Sequence, residues 1–95
     1  MKFEWDQNKD RINRQKHKIS FSTAKLVFHD ENMVDFPDYE HSITEERRIA
    51  IGKVRGILFV CYTIRREDTI RIISARKATK REEGLYYDNN GIFGY

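Results

Sequence analysis

Two runs of apolar and β-branched residues, joined by a short polar stretch, dominate the second half of the chain. The first run spans residues 57–64 without interruption, and the second covers residues 69–76. Such a pair predicts a β-hairpin with Glu67 and Asp68 in a tight turn. This turn fixes which residues face each other across the strands. The expected pairs are Phe59 with Arg76, Cys61 with Ser74, Thr63 with Ile72, and Arg65 with Ile70.

The two faces of this predicted hairpin differ in polarity. One face carries the paired residues, which include two arginines and two hydroxyl groups. The other face is almost entirely apolar and carries Leu58, Val60, Tyr62, Ile64, Ile73 and Ala75. We therefore expect the apolar face to pack against the core, and the mixed face to remain available for function.

Helical and extended patterns follow one another along the rest of the chain. Asp6 and Ser22 are suited to cap two helices, and Thr79 with Glu82 forms a capping-box pattern for a third. Pro37 is expected to end a strand. The pattern predicts a strand over residues 2–5, a helix over 6–16, a helix after Ser22, strands over 33–36 and 45–54, and a helix over 80–86.

Because helices and strands occupy separate runs, the pattern is typical of an α+β fold with an antiparallel β-sheet. We expect the N-terminal helices to pack on one sheet face, a C-terminal helix to follow the sheet, and the other face to be open. Ninety-five residues suffice for one hydrophobic core. We predict a single domain over residues 1–95, with a core over 3–87 and a tail over 88–95.

Composition and charge favour a folded protein with a basic surface. Apolar residues make up 39% of the chain, which is typical of a folded domain, and charged residues make up 35%. The net charge of +3 modestly favours an acidic or polyanionic partner. The lone cysteine, Cys61, suits a reducing compartment, and residues 1–6 lead into charge rather than an apolar run. We expect a cytoplasmic protein without a membrane span.

Several kinds of site find no support in the residue spacing. The histidines at positions 17, 29 and 41 do not follow a metal-ligand spacing, and one cysteine offers them no partner. The five glycines are scattered, so the sequence contains no glycine-rich phosphate loop. We therefore expect neither a metal nor a cofactor, and charge-based chemistry remains.

The candidates for such chemistry are ionisable side chains near strand ends and at one helix end: His17, Glu45, Glu46, Arg47, Arg65 and Arg76. Histidine and a tuned carboxylate can transfer protons near neutral pH, and arginine offers parallel donors to a phosphate. Such a set suits RNA cleavage without a metal. The same residues also fit a structural role, because Arg76 could pair with Glu82 or Glu83, and charge runs usually face solvent. The spacing alone leaves both interpretations open.

A longer series of motifs identifies a family. The series comprises Phe3-x-Trp5-Asp6, Asn13-x-x-Lys16-His17-x-Ile19-x-Phe21-x-x-Ala24, Glu45-Glu46-Arg47, Thr63-x-Arg65, Arg71-Ile72-Ile73-Ser74-Ala75-Arg76-Lys77-Ala78 and a late helix with Tyr86 or Tyr87. Through these motifs, which cover residues 3–87, the chain resembles the BrnT toxin family. One departure is Lys18, which stands where this family usually has glycine.

The resemblance implies a RelE-like fold and a ribonuclease toxin of a bacterial type II toxin–antitoxin module. It further implies neutralisation by a BrnA-like ribbon-helix-helix antitoxin, with operator DNA bound only through the antitoxin complex. The polar groups of the motifs form the implied RNA-cleaving site, which consists of His17, Glu46, Arg65 and Arg76. We expect RNA-backbone contacts from Lys16, Arg47 and Lys77.

Our hypothesis from the sequence is a metal-independent endoribonuclease that cleaves mRNA and thereby arrests translation and growth. Arg65 and Arg76 would neutralise the scissile phosphate, while His17 and Glu46 would transfer protons, with the roles of base and acid open. The alternative is a non-catalytic interaction subunit that binds an antitoxin within an operator-bound repressor complex. A stand-alone nucleic-acid-binding domain has less support, because the sequence shows no RNP-like motif or recognition-helix pattern.

Overall fold

The computed structural model describes residues 1–90, which form an α+β fold built on one five-stranded sheet. The strand order across the sheet is β1-β5-β4-β3-β2. In chain order the elements are β1 (Lys2–Glu4), α1 (Gln7–His17), α2 (Phe21–Ala24), a 3₁₀ turn (Lys25–His29), β2 (Val34–Pro37), a second 3₁₀ turn (Tyr39–His41), β3 (Arg48–Val54), β4 (Gly56–Arg65), β5 (Thr69–Lys77) and α3 (Lys80–Asn89).

The β4–β5 hairpin has the expected register only in the half that is remote from its turn. There Phe59 pairs with Arg76 and Cys61 with Ser74, as predicted. Near the turn the register differs by one residue, and the observed pairs are Tyr62 with Ile72, Thr63 with Arg71, Ile64 with Ile70, and Arg65 with Thr69. The predicted pairing of Thr63 with Ile72 and of Arg65 with Ile70 is therefore wrong.

The register differs because the turn is one residue longer than predicted. An irregularity in β5 then restores the predicted register farther from the turn. Arg66 and Glu67 both have positive φ, at 51° and 69°. The strands are connected by the three residues 66–68, and not by the predicted two-residue turn. Next to Cys61 the pairing then skips Ile73, as in a β-bulge. As a result Ile72 lies in the core on the Val60 side, and Ile73 faces the opposite side, contrary to the prediction.

The sheet is mixed rather than antiparallel. Strand β1 forms one edge and pairs in parallel with β5, with Phe3 opposite Ile70. The other three strand pairs are antiparallel. The alternating pattern of residues 2–5 correctly predicts a strand but carries no information about its direction. Glu4 stabilises this edge through contacts with Arg71 at 2.9 Å and Arg66 at 2.6 Å.

The N-terminal helical segments pack against the first face of the sheet. Their buried side chains meet a cluster of small and branched sheet residues, and the cluster includes Phe21, Ala24, Val27, Ala50, Leu58, Val60, Ile72 and Ala75. The approach is close at Gly52, where a Cβ atom would lie 2.7 Å from a methyl group of Val27. Glycine at this position therefore allows the 3₁₀ turn to lie directly on β3.

Helix ends on this face differ in part from the prediction. Asp6 caps α1 as expected, since its carboxylate accepts two backbone N–H groups of the first turn. The cap of α2 is Ser20 rather than Ser22, because the helix already begins at the buried Phe21. Lys18 ends α1 in the left-handed conformation, with φ 61° and ψ 27°, a position where glycine is normally favoured.

The second face of the sheet is covered in part by α3. Tyr86 is only 3% exposed and packs with Ile49, Ile51 and Ile57. Its Oη donates to Asp30 Oδ2 at 2.6 Å, and burial together with this hydrogen bond raises the pKa of Tyr86 to about 12. The expectation that this face is open as a whole is therefore wrong, and only the part beyond α3 is uncovered.

The C-terminal helix has the capping box that the sequence predicts. Thr79 Oγ1 accepts from the backbone of Glu82, and the carboxylate of Glu82 accepts from the backbone of Thr79. The helix continues to Asn89, three residues beyond the predicted end. Residues 91–95 of the predicted tail lie outside the described residues. No helix within residues 1–90 has the length and apolar character needed to cross a membrane.

Candidate active site

The uncovered part of the second sheet face forms a cavity of about 640 Å³. Strands β3, β4 and β5 form its floor, and residues 36–41 form a wall. We call it the arginine cavity, and the residues that define it are Arg47, Arg76, Phe59, Cys61, Ser74 and His41. A rigid sheet bordered by a polar loop is a common setting for a binding site, because the sheet fixes side-chain positions and the loop supplies polar groups.

Arg76 is held firmly at the border between α3 and the cavity. Its guanidinium lies 4.0 Å from the centre of the Phe59 ring. Its Nη1 and Nη2 donate to the two carboxylate oxygens of Glu82, at 2.8 and 2.9 Å. This ion pair lowers the pKa of Glu82 and raises the pKa of Arg76. The structural pairing that the sequence allowed for Arg76 is therefore present with Glu82.

One edge of the Arg76 guanidinium has no acceptor among the described residues. Nη1 donates to Glu82 and to the carbonyl oxygen of Lys77, while Nη2 makes one bond, to Glu82. Within residues 1–90, the Nε–H group and the second Nη2 hydrogen have no partner. Adjacent donors of this kind match two oxygens of one phosphate group. Arg76 can therefore bind an anion without breaking its pair with Glu82.

Arg47 is the second arginine of the cavity, and it makes no ion pair with a described carboxylate. Its Nε is buried and has no hydrogen-bond partner within residues 1–90. A buried donor without a partner costs about 1–3 kcal/mol. The backbone of Arg47 is fixed by Ser42, whose Oγ accepts its N–H at 2.9 Å.

The loop wall contributes a histidine paired with a carboxylate. His41 Nδ1 lies 2.9 Å and 3.1 Å from the two carboxylate oxygens of Asp38. The side chain of His41 is 61% exposed, whereas that of Asp38 is 16% exposed. The aspartate is therefore fixed within the wall, and the imidazole lies at the rim of the arginine cavity.

The structure also contains a second, smaller cavity of about 470 Å³. It is lined by Glu45, Glu46, Arg65 and Thr63, among others. Arg65 forms a salt bridge with Glu45 at 3.2 Å, and Thr63 Oγ1 donates to the carbonyl oxygen of Glu46 at 2.6 Å. Glu46 and Arg47 are consecutive, so one residue of each cavity lies in the segment directly before β3. We call this smaller site the glutamate cavity.

The end of α1 is fastened to the strand that carries Arg76. Asn13 is buried, and its side chain binds both the N–H and the carbonyl group of Ala75, at 3.2 and 2.8 Å. The same amide donates to the carbonyl oxygen of Ile19 at 2.9 Å. Lys16 and His17 form the last residues of this helix. Lys16 and His17 therefore lie at the end of a helix that is hydrogen-bonded to β5 at Ala75, the residue before Arg76.

The structure brings some of the predicted site residues together and not others. Arg47 and Arg76 share the arginine cavity, while Glu46 and Arg65 share the glutamate cavity. None of the hydrogen bonds of the described residues joins His17 to either pair of residues. Lys16 and Lys77 are exposed, at the ends of α1 and β5. The predicted set is thus divided among three separate places.

Sequence reasoning did not single out His41 and Asp38 as site residues. Their spacing, three residues apart directly after Pro37, is the one signal that could have indicated a contact. Cys61 also lines the arginine cavity, and burial raises the pKa of its thiol.

Comparison with known proteins shows the family of this chain and a similar fold. The sequence profile of the family described as ribonuclease toxin, BrnT, of type II toxin–antitoxin system matches residues 5–82. The fold is similar to the 1.1 Å crystal structure of the Brucella abortus ribonuclease toxin BrnT, with a TM-score of 0.67 and 25% sequence identity. That similarity covers 84% of this chain and 99% of the Brucella chain. No match was found among curated proteins. The chain belongs to the BrnT family of type II toxin–antitoxin ribonuclease toxins.

Proposed function

We propose that this protein is a metal-independent endoribonuclease that cleaves mRNA and thereby arrests translation and growth. Membership of the family implies an RNA target and an antitoxin partner. The observation that carries the proposal is the presence of Arg47 and Arg76 in one cavity, each with guanidinium donors that have no acceptor within residues 1–90. Such a pair suits a phosphodiester that gains negative charge during cleavage.

Cleavage of RNA without a metal requires an attack by the ribose 2′-hydroxyl on the neighbouring phosphorus. A base removes the 2′-proton, cations stabilise the phosphorane, and an acid protonates the departing 5′-oxygen. Arg76 supplies two adjacent donors whose direction is fixed by Glu82 and Phe59. Arg47 supplies a second positive charge that no described carboxylate neutralises. Both residues would act on the same phosphate.

The proton-transfer groups that the sequence suggests are His17 and Glu46, with the assignment of base and acid open. Support for Glu46 comes from the glutamate cavity, where Arg65 would bind the phosphate that follows along the chain. Support for His17 comes from Asn13, which bonds α1 to β5 beside the strand position of Arg76. Lys16 and Lys77 would extend the contact with the RNA backbone, a contribution that salt weakens.

We further propose that a BrnA-like ribbon-helix-helix antitoxin neutralises the protein by covering the arginine cavity. Operator DNA would be bound through that complex and not by the toxin alone. A site formed by charges on an exposed sheet face can be inhibited by simple coverage, because no internal rearrangement is needed. Action on mRNA places the protein in the cytoplasm in this proposal.

The test is cleavage of purified RNA in EDTA by the protein and by two Arg76 variants. We expect Arg76→Ala to lose cleavage, and Arg76→Lys to recover little, because lysine cannot present two parallel donors. Arg11→Ala is the matched control, since Arg11 is an exposed arginine of α1 whose side chain, within residues 1–90, bonds only to Asn8. Cleavage by Arg76→Ala at the rate of the unmodified protein would contradict the proposed site.

A non-catalytic interaction subunit is the second candidate, and the ion pair between Arg76 and Glu82 favours it. In that case Arg76 would only attach α3 to β5. The protein would then bind its antitoxin stably but would cleave neither purified RNA nor mRNA in a translating extract. Cleavage in the extract alone would instead indicate a ribonuclease that depends on the ribosome.

A further inference from the structure

The wall of the arginine cavity contains an oriented histidine that the motifs do not include. Asp38 contacts the Nδ1 of His41 with both carboxylate oxygens, at 2.9 and 3.1 Å. An aspartate in this position favours the tautomer in which Nδ1 carries the proton, so Nε2 carries the lone pair. Nε2 has no hydrogen-bond partner among the described residues. His41 is thus arranged like a general base whose second nitrogen is oriented by a carboxylate.

The loop that carries this pair is fixed by bonds that do not involve the imidazole. Asp38 N–H donates to the carbonyl oxygen of Arg47 at 2.8 Å, and Ser42 Oγ donates to the carbonyl oxygen of Asp38 at 2.6 Å. The N–H of Arg47 donates to Ser42 Oγ at 2.9 Å. The backbone of the loop is therefore tied directly to Arg47. The side chain of His41 is 61% exposed, and a polar contact at such a position contributes little to stability. The contact with Asp38 therefore serves mainly to orient the imidazole.

The other two histidines lack this arrangement. His17 is the last residue of α1, and His29 ends the first 3₁₀ turn. Neither is joined to a carboxylate by any hydrogen bond or salt bridge of the described residues, and neither lines the arginine cavity. His41 lines it together with Arg47 and Arg76. The imidazole, its orienting carboxylate and two guanidinium groups thus occur at one place.

We propose that His41 is the general base of the RNA cleavage reaction and that Asp38 is its positioning residue. The assignment rests on the proposed function. Nε2 of His41 takes the proton of the ribose 2′-hydroxyl while the 2′-oxygen forms a bond to phosphorus. The bond between phosphorus and the 5′-oxygen breaks, and a second group donates a proton to that oxygen. The products are a 2′,3′-cyclic phosphate and a free 5′-hydroxyl, and no water or oxidant is consumed.

This assignment leaves the acid role to His17 or Glu46. The carboxylate of Asp38 stabilises the imidazolium that forms when His41 accepts the proton. Arg47 and Arg76 stabilise the negative charge that moves onto the phosphate oxygens in the same step. The group that binds the phosphate and the group that removes the proton therefore face one cavity, as an in-line attack by the neighbouring 2′-oxygen requires.

The test compares His41→Gln with His29→Gln, an exposed histidine that serves as the matched control. Each purified protein is given a normal RNA oligonucleotide and one in which sulfur replaces the bridging 5′-oxygen at each cleaved bond. A thiolate leaves without a proton, so only the base is needed for the second substrate. We expect His41→Gln to be slower by about 100-fold on both substrates, while His29→Gln is unchanged.

Each other outcome overturns the assignment in a recognisable way. If the unmodified protein and His41→Gln cleave the normal RNA equally fast, the proposed function stands and the role of His41 is wrong. If sulfur restores the rate of His41→Gln, His41 acts as the acid and not as the base. If the unmodified protein cleaves neither these RNAs nor mRNA in a translating extract, both the proposed function and this assignment fail.

The role of Asp38 has its own readout. Asp38→Asn should lower kcat with little change in KM, because asparagine still contacts the imidazole but does not stabilise its charged form. In the double variant with His41→Gln, the Asp38 substitution should have no further effect. A rise in KM alone, or additive effects of the two substitutions, would show that Asp38 acts independently of His41.

Discussion

The second face of the sheet is divided into two halves that differ in what lies on them. In the closed half, Tyr86 of α3 buries Ile49 and Ile51 of β3. In the open half, Ser74 of β5 and Arg47, the residue directly before β3, line the arginine cavity beside the loop of residues 36–41. The contrast shows that one sheet face carries both a buried core and an open surface with charged side chains. The change occurs within four positions along the chain, from Ile51 in β3 to Arg47 just before this strand.

Arg76 lies at the boundary between the halves and takes part in both. It pairs with Glu82 of α3 on one side and lines the arginine cavity on the other. The helix that closes one half therefore also orients a charge in the other. Substitutions in the closed half should change stability, those in the open half should change cleavage, and those at the boundary should change both.

The largest effect is expected in the closed half. Tyr86→Ala removes a ring that is 3% exposed together with its bond to Asp30, so the free energy of unfolding should fall by about 3 kcal/mol. Urea unfolding followed by circular dichroism measures this change. Tyr39→Ala is the control, because Tyr39 is 84% exposed and its loss should leave the unfolding midpoint unchanged. Equal effects of the two substitutions would show that α3 does not stabilise the sheet.

In the open half, Arg47→Ala should reduce the rate of RNA cleavage by about 100-fold. The free energy of unfolding should stay the same or rise slightly, since the substitution removes a buried Nε that has no partner within residues 1–90. Single-turnover cleavage and urea unfolding of the same preparation separate the two effects. Arg11→Ala should match the unmodified protein in both. If Arg47→Ala were less stable but fully active, the assignment of the open half to RNA cleavage would be wrong, and Arg47 would have a structural role.

At the boundary, Glu82→Gln should lower stability by about 1 kcal/mol at pH 7 and should also slow cleavage, because Arg76 loses part of its orientation. The pKa of Glu82 is lowered in the folded protein by Arg76, so the unfolded state takes up the proton first as pH falls. The ion pair therefore stabilises the folded protein fully at pH values above the pKa that Glu82 has in the unfolded chain. This stabilisation is lost as pH falls through the lower pKa that Glu82 has in the folded protein.

At neutral pH the unmodified protein should have a larger free energy of unfolding than Glu82→Gln. This difference should accordingly shrink as pH falls to about 3. Urea unfolding at a series of pH values measures it. Glu83→Gln, the adjacent residue without a described ion pair, is the control and should give a smaller difference. A difference that is constant with pH would mean that the charge of Glu82 does not stabilise the boundary.

The smallest effect is expected away from both halves, at the end of α1. Lys18 has φ 61°, which is costly for any residue with a Cβ atom, so Lys18→Gly should raise the free energy of unfolding by about 0.5 kcal/mol. Thermal unfolding at fixed pH detects such a change. Lys18→Ala, which keeps the Cβ atom, should not have this effect. Stabilisation by alanine as well would attribute the gain to charge and not to backbone strain.

Local patterns in the sequence were sufficient for most of the elements. The unbroken run of β4 and the capping box of Thr79 and Glu82 follow from residues close in sequence, and both were predicted. The register of the hairpin was predicted only where Phe59 meets Arg76. The three-residue turn depends on positive φ at Arg66 and Glu67, and arginine and glutamate rarely adopt positive φ. No sequence rule therefore indicates this turn or the irregularity at Ile73 that compensates for it.

The candidate site was less accessible to sequence reasoning because its parts are distant along the chain. Arg47 and Arg76 were singled out separately, but their shared cavity depends on the β3–β4–β5 register and on the extent of α3. His41 lies in a loop without periodicity, where its contact with Asp38 depends on a 3₁₀ turn. The sequence thus indicated which charges were available, and tertiary packing decides which of them meet.

The central claim is that Arg47 and Arg76 act on one phosphate in the open half. A double-mutant cycle of RNA cleavage in EDTA tests it most directly, using the unmodified protein, Arg47→Ala, Arg76→Ala and the double variant. We predict that the unmodified protein cleaves RNA and that Arg76→Ala has a much smaller effect in the Arg47→Ala background than alone. Effects that multiply independently, or no cleavage by the unmodified protein, would contradict the account.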